Sequence, residues 1–349
     1  MASIKDVAEK AGVSISTVSN VINGTKYVSD ELKYKINKVI KELEYEVNPV
    51  ARSLKSKKTM TIGVVITNIN RIFFPQVIKG IQDGAAKYGY SLTFFNTNDK
   101  FEDEKRFVQM LESNWVDGII LDSVADIKNE DYFKNISLLG NIKKRIPVVS
   151  LERRVDNYGI DSVVINNYKG GSMAARHLLD CNCKKFVHFT GPLTSSIAQD
   201  RLNGYMDELK KEGLDTSDVR IAEGDYSPLS GYHAMKQLLL DGIDIDGVFA
   251  ANDQMAIGAI KAILESGLRI PEDVKVVGFD NTFVASIVEP SLTTINVPKY
   301  KMGKEAIDTL MNRIEQNPDS QSVIEMPINL IVRQSTDLKG DKNWDLYGW

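Results

Sequence analysis

Cysteine and histidine are scarce in this chain, with two and three in 349 residues. Cys181 and Cys183 form a single Cys-Asn-Cys stretch with no second pair, which excludes a disulfide framework and a four-ligand zinc site. A reduced, cytosolic (cytoplasmic) protein without a cofactor is the expectation. The two thiols sit near Lys184 and Lys185, which would favour a thiolate, but they read as inert. His177, His188 and His233 are scattered over a predicted helix, a strand and a helix, as core or surface residues rather than ligands or bases. Apolar runs fall short of the ~18 residues that cross a bilayer, so no membrane partner is expected. Residues 1–10 mix acids and bases with no apolar stretch behind a basic one, so no secretory leader is expected. Also missing are a glycine-rich phosphate loop ending in Lys-Ser/Thr, a Gly-x-Ser-x-Gly elbow and a His-Glu-x-x-His motif. No acid–base pair is indicated either, and the chain reads as a binder, not an enzyme.

The composition is that of an ordinary soluble protein, 26% charged and 43% hydrophobic, and the length suits two or three domains. Net charge is -4, but it is unevenly spread. Residues 1–58 hold eleven bases and seven acids, and 52–58 hold four bases and no acid. The remainder holds 32 bases and 40 acids. A small basic head on an acidic body is the asymmetry of a DNA-binding domain joined to something else, although a short basic run is more often a solvated linker.

Three short amphipathic helices are predicted in the head. Ser3 is a candidate N-cap with Asp6 three residues on, and Ile4, Val7, Ala8 and Ala11 follow at helical spacing. Gly12-Val13-Ser14 breaks the helix, and Ser14 caps a second over 15–23 that buries Val18, Val21 and Ile22. A third opens at Ser29 and buries Leu32, Ile36, Val39, Ile40 and Leu43. Helix, glycine-containing turn, helix is the helix-turn-helix pattern. Ser16, Thr17, Ser19, Asn20 and Asn23 form the exposed face of the second helix. These short polar side chains reach base edges and phosphates; in a plain three-helix packing module they would only meet water. Asn48-Pro49 then starts a segment of about eight residues, too short to persist alone as a helix. Its Leu54, among bases, reads either as a packing residue or as a wedge between base steps.

These residues resemble the lactose/galactose repressor (LacI/GalR) family. The resemblance is carried by Ile4-Lys5-Asp6-Val7-Ala8, Ala11-Gly12-Val13-Ser14, Ser16-Thr17-Val18-Ser19, Val21-Ile22-Asn23-Gly24 and Asn48-Pro49 with Ala51-Arg52-Ser53-Leu54. It implies a homodimer on a pseudo-palindromic double-stranded DNA operator, with the second helix in the major groove. It also implies a hinge helix over 48–58 whose Ala51, Arg52, Leu54 and Lys55 meet the minor groove. Where the family commonly has arginine this chain has Asn20, which points to a different base; the neighbouring Ile15 offers only apolar contact.

The body predicts strands over 62–66, 92–95, 118–121, 148–150, 163–165, 186–189, 248–250 and 274–279, alternating with helices. The helices are expected over 75–88, 102–113, 169–179, 198–212, 230–240 and 253–266. Such alternation gives parallel sheets covered on both faces. The fold class expected is an all-α helix-turn-helix head, 1–47, on an α/β body of two doubly wound lobes, 59–338. The resemblance implies a periplasmic-binding-protein-like body crossed three times by the chain. Lobe 1 is expected at about 59–161 and 292–320, lobe 2 at about 162–291 and 321–338, and a tail at 339–349.

Ligands of such lobes sit at the carboxyl ends of the strands. Asp280 and Asn252 follow strands, Arg201 lies on the helix after Gly191-Pro192, Phe73-Phe74 precede a helix and Tyr226 precedes Pro228. Carboxylate, amide and guanidinium satisfy alternating hydroxyls while aromatic rings cover an apolar face. Asp280 and Asn252 read equally as turn and capping residues. By resemblance, Phe73, Phe74, Ser195, Arg201, Tyr226, Asn252 and Asp280 are the effector-binding positions. The purine-binding branch carries arginine and threonine where this chain has Ser195 and Ile197, so a sugar or sugar derivative is the expected effector. Asp308 stands where the branch that docks a phosphorylated carrier protein has arginine.

Overall fold

Ser3 accepts a hydrogen bond from the Asp6 amide, and Asp6 returns one from the Ser3 amide at 2.7 Å, so a complete capping box opens α1 (Ile4–Ala11). This computed structural model describes residues 2–24, 26–45, 58–113, 116–125, 129–141, 144–316 and 321–344. They fall into two units, Met1–Thr59 and Met60–Trp349. In the first, α1 ends on Gly12 at φ 64°, which frees the chain to turn into α2 (Ile15–Asn23) behind its Ser14 cap. α3 (Asp30–Glu42) completes a core of Val7, Ala8, Ala11, Val18, Ile36 and Val39. The hinge expected over 48–58 lies, up to residue 57, outside the described residues, and with it Ala51, Arg52, Leu54 and Lys55.

The second unit alternates strands and helices. The first sheet contains β1 (Thr61–Ile66), β2 (Ser91–Asn96), β3 (Gly118–Leu121), β6 (Val148–Leu151), β7 (Asp161–Ile165) and β13 (Val323–Met326). All its pairs are parallel, in the order β13-β7-β6-β3-β1-β2. The second contains β8 (Phe186–Thr190), β9 (Arg220–Glu223), β10 (Gly247–Ala250), β11 (Lys275–Asp280), β12 (Thr293–Asn296) and β14 (Asn329–Ile331). Its order is β14-β12-β11-β10-β8-β9, with only β14 antiparallel. A two-stranded ribbon, β4 (Gly140–Asn141) and β5 (Lys144–Arg145), is appended. The helices are α4 (Phe74–Lys87), α5 (Phe101–Glu112), α6 (Glu130–Ile136), α7 (Asn167–Asp180), α8 (Ser196–Lys211), α9 (Pro228–Leu240), α10 (Asp253–Glu265), α11 (Phe283–Ile287) and α12 (Lys299–Gln316).

The chain passes between the sheets after β7, after β12 and after β13, which corrects the expected lobe boundaries. Residues 162–165 and 323–326 belong to the first lobe and 293–296 to the second. Local hydrophobic pattern does not reveal this, because β13 finds its partner in β7, some 160 residues earlier.

Three helix pairs lie on the sheets, and in each pair a glycine of either helix faces the backbone of the other. A Cβ on Gly80 of α4 would lie 2.1 Å from the Tyr300 carbonyl oxygen, and one on Gly303 of α12 2.0 Å from that of Val77. Gly171 and Gly204 lock α7 to α8 in the same way, and Gly231 and Gly258 lock α9 to α10. The backbones therefore touch directly, closer than any side chain would permit.

Candidate functional site

The head presents α2 to its surroundings. Ser14 accepts a hydrogen bond from the Thr17 amide at 3.1 Å, and its hydroxyl lies 2.7 Å from that of Ser16 and 2.8 Å from that of Thr17. Ile15 and Ser16 are exposed, and Thr17 and Asn20 are half-buried. Ser19 departs from expectation: it is buried, only 9% exposed. It stands three residues before Ile22, on the shoulder of the buried stripe, so its small side chain is enclosed by the helix packing. Asn23 ends α2, and its side chain lies outside the described part.

In the body a cavity of about 190 Å³ opens between the lobes. Phe73, Phe74, Ser195, Arg201, Tyr226, Asn252 and Asp280 all line it. So do residues the sequence reading missed, chiefly Arg71, Asp122, Glu152 and Arg153. Nearly all follow the carboxyl end of a strand: Asp122 follows β3, Glu152 and Arg153 β6, Tyr226 β9 and Asn252 β10, while Asp280 ends β11. Of nine non-glycine residues with positive φ among the described residues, four line this cavity: Asp99 (61°), Glu152 (59°), Tyr226 (67°) and Asp280 (102°). Such backbone costs about 1–3 kcal/mol each and collects where side chains must be aimed at a ligand.

The second lobe holds its polar groups firmly. Arg201 donates Nε to Asn167 at 2.9 Å and Nη1 to the Ala251 carbonyl at 2.6 Å, and its guanidinium lies 3.6 Å from the centre of the Phe279 ring. Asn252 caps α10 by accepting from the Met255 amide at 2.9 Å and donates to the Tyr226 carbonyl at 3.0 Å. The capping and cavity-lining readings of Asn252 are therefore both true. The Lys299 ammonium donates to the carbonyls of Asp280 at 2.6 Å and Asn281 at 2.7 Å, which fixes the strained end of β11. Burial pushes the Asp280 carboxyl well above its ordinary range; Arg201 opposes this, while the charges of Asp253 and Glu152 add to it.

The first lobe is more crowded with charge. Asp122 accepts from the Thr67 hydroxyl at 2.6 Å, and burial nevertheless raises its pKa. Burial, reinforced by the Asp122 charge, pushes Glu152 up to about 7 against the pull of Arg201, Arg71 and Arg153. Arg153 spends both terminal nitrogens on backbone, donating to Ala125 at 2.6 Å and Ser123 at 3.1 Å. Arg71 donates to Thr67 at 3.0 Å and Asp99 at 2.5 Å, and lies over the Tyr226 ring at 4.6 Å. Its Nε is buried without a partner. Phe73 and Phe74 meet edge to face at 5.4 Å. Both are almost wholly buried, so they offer an edge rather than an open stacking face.

The two thiols lie elsewhere. Burial raises both, Cys183 to about 12, so they are not activated by the neighbouring lysines. Among the described residues no cluster of His, Cys, Asp and Glu could hold a metal ion, and no helix is long and apolar enough to cross a membrane.

Residues 3–48 match the family of bacterial regulatory proteins, lacI family, and residues 175–336 match a periplasmic binding protein-like domain. The chain is 36% identical to the HTH-type transcriptional repressor PurR of Pasteurella multocida, over 96% of this chain and 98% of that protein. It is 35% identical to the ribose operon repressor of Halalkalibacterium halodurans, over 98% and 99%. Its structure is similar to that of the lac repressor dimer bound to operator and the anti-inducer ONPF (TM-score 0.87, 30% identity, covering 96% of this chain and 99% of that one). A helix-turn-helix head, a two-lobed α/β body with a cavity at its strand ends and relatives along nearly its full length agree: the chain belongs to the LacI/GalR family, a DNA-binding transcriptional repressor with an effector-binding body, and not an enzyme.

Proposed function

We propose that this repressor controls carbohydrate-utilisation genes through a compact, uncharged, hydroxyl-rich effector, a sugar or sugar derivative, held in the cavity between the lobes. The charge arrangement of the cavity carries this reading. Each guanidinium is already committed to backbone, carboxylate or ring partners, and the carboxyls of Asp122, Glu152 and Asp280 are all raised. A phosphorylated sugar or sugar acid would meet the carboxyls of Asp99, Asp122, Glu152, Asp225 and Asp280, and guanidiniums that already have partners. A hydroxyl suits both states of these acids, because it donates to a carboxylate and accepts from a protonated carboxyl. At about 190 Å³ the cavity falls below the ~300–1,000 Å³ of drug-sized sites, which suits a single ring. Phe73, Phe74 and Tyr226 supply its apolar wall, and Ser195, Arg201, Asn252 and Asp280 its polar contacts.

In this reading Ile15, Ser16, Thr17, Asn20 and Asn23 face the major groove of a pseudo-palindromic operator, in the cytoplasm. Buried Ser19 contributes by packing. The hinge segments of two subunits meet the minor groove, where Leu54 wedges between base steps beside Ala51, Arg52 and Lys55. Effector binding shifts the lobes and with them the spacing of residues 59–62, a coupling of the usual ~1–3 kcal/mol.

A nucleobase is the second reading, favoured by the 36% identity to a repressor named PurR. Ser195 and Ile197 argue against it, since neither supplies the arginine and threonine of the purine-binding branch. A thermal-shift panel of neutral sugars, phosphorylated sugars, sugar acids and purines separates these cases. An effector at 100 times its Kd adds about 2.7 kcal/mol. Stabilisation by a neutral sugar alone supports the proposal. Stabilisation by a purine or an anionic sugar overturns it.

A further inference from the structure

Outside the cavity wall, Gln254 makes two hydrogen bonds from the second lobe to the first. Its Oε1 accepts from the Ile72 amide at 3.0 Å, and its Nε2 donates to the Asn70 carbonyl at 3.3 Å. The side-chain amide thus pairs with the 70–72 backbone as a neighbouring strand would, with one acceptor and one donor. Only an amide of this length offers both.

Each end of the pairing is anchored in its own lobe. On the second lobe, Gln254 sits in the first turn of α10, which is capped by Asn252 and tied down by Asp253, whose carboxylate accepts from Thr282 and Thr294. On the first lobe, the loop before α4 is held by Asn68, which donates to Asp99 at 2.7 Å, and by Asn96, which accepts from the Ile69 amide at 3.1 Å. Neither end is a loose loop, so the pairing joins two fixed bodies. Between its two contacts stands Arg71, whose guanidinium reaches across to the Tyr226 ring on the other lobe.

We propose that Gln254 is a positioning residue that clasps the lobes over the cavity, holding the 70–72 backbone and so keeping Arg71 across the opening. The clasp touches no ligand. Ligand entry and exit require it to open, whatever the effector is, so this inference stands apart from the sugar reading.

The test uses the full-length, ligand-free protein. Hydrogen exchange is followed by mass spectrometry in wild type, Gln254→Met and Gln254→Glu. The methionine keeps the size and removes both bonds. The glutamate keeps the acceptor for Ile72 but sets a carboxylate against the Asn70 carbonyl. Exchange of a peptide spanning 69–74 rises about tenfold or more in Gln254→Met and by less in Gln254→Glu, while peptides from β8 and α7 exchange as in wild type. The Tyr226 ring resonance, assigned by its loss in Tyr226→Phe, shifts in Gln254→Met in the same direction as in Arg71→Met, because both remove the guanidinium from the ring. An unchanged 69–74 peptide overturns the clasp. Acceleration spread evenly over the second lobe, or a Tyr226 resonance that ignores Gln254→Met, reduces Gln254 to an ordinary structural residue and equally overturns it.

Discussion

The two lobes share a plan but treat their charges differently. In the second lobe the main polar groups at the cavity are braced: Arg201 by Asn167, the Ala251 carbonyl and Phe279, Asn252 by its capping bond, and the Asp280 backbone by Lys299. In the first lobe Asp122 and Glu152 are close enough that the charge of one raises the pKa of the other, and Arg71 is held largely by a half-exposed pair with Asp99. One lobe is therefore a preformed half-site, and the other is electrostatically unsettled until something sits between the acids. Preorganised groups give affinity at little ordering cost, whereas a frustrated charge cluster is where a ligand changes the balance most.

Arg201→Ala should show the largest effect. It strands the Asn167 amide oxygen and the Ala251 carbonyl in a buried site, and urea unfolding of the body should lose about 3 kcal/mol or more. A loss below about 1 kcal/mol would mean that the second lobe is not braced through this residue. Glu152→Gln tests the opposite condition. The Glu152 carboxyl holds its proton to about 7 when folded, against an ordinary 4.5, so the folded state binds the extra proton between these values. Wild-type stability therefore falls as pH rises from about 4.5 to 7 and stays lower above. The variant lacks this decline and should exceed wild type at pH 8 by up to about 3 kcal/mol, with the advantage gone at pH 4. Melting curves across pH check the sign; a variant less stable at pH 8 would remove the strain from the first lobe. Arg71→Ala should change stability least, by under about 1 kcal/mol, because its pair with Asp99 is partly solvated. It should nonetheless weaken the stabilisation given by an effector, read as a smaller thermal shift at fixed ligand concentration.

The same contrast governs what could be read from sequence. Helix starts in the head were legible because serines mark them: Ser3, Ser14 and Ser29 precede the three helices, and Gly12 and Gly24 follow the first two. Strands that carry an unbroken apolar run were visible, but β9, β12, β13 and β14 were not. β9 reads Arg-Ile-Ala-Glu on an exposed edge, and β13 and β14 are edges whose partners are distant in sequence. At the cavity, Arg201, Asn252 and Asp280 stood out by position and resemblance. Asp122 and Glu152 obey the same rule, each directly following an apolar strand, so their signal was present and unused. Arg71 and Asp99 carried none: they meet across loops, and only the folded chain brings Arg71 over Tyr226. Ser19 shows the converse, a polar residue expected on the exposed face that the helix packing buries.

The close glycine contacts between helices bear on how such a protein could be altered. Six positions, Gly80, Gly303, Gly171, Gly204, Gly231 and Gly258, admit no side chain without parting two backbones. The paired helices form plates held backbone to backbone, and the lobes are joined by the three crossings after β7, β12 and β13. An engineer seeking a sensor for a new molecule is free to randomise the strand-end loops around the cavity. The plates must be kept intact, and sensitivity is best retuned at the crossings, where altering a few residues changes how readily the lobes turn without altering what they hold.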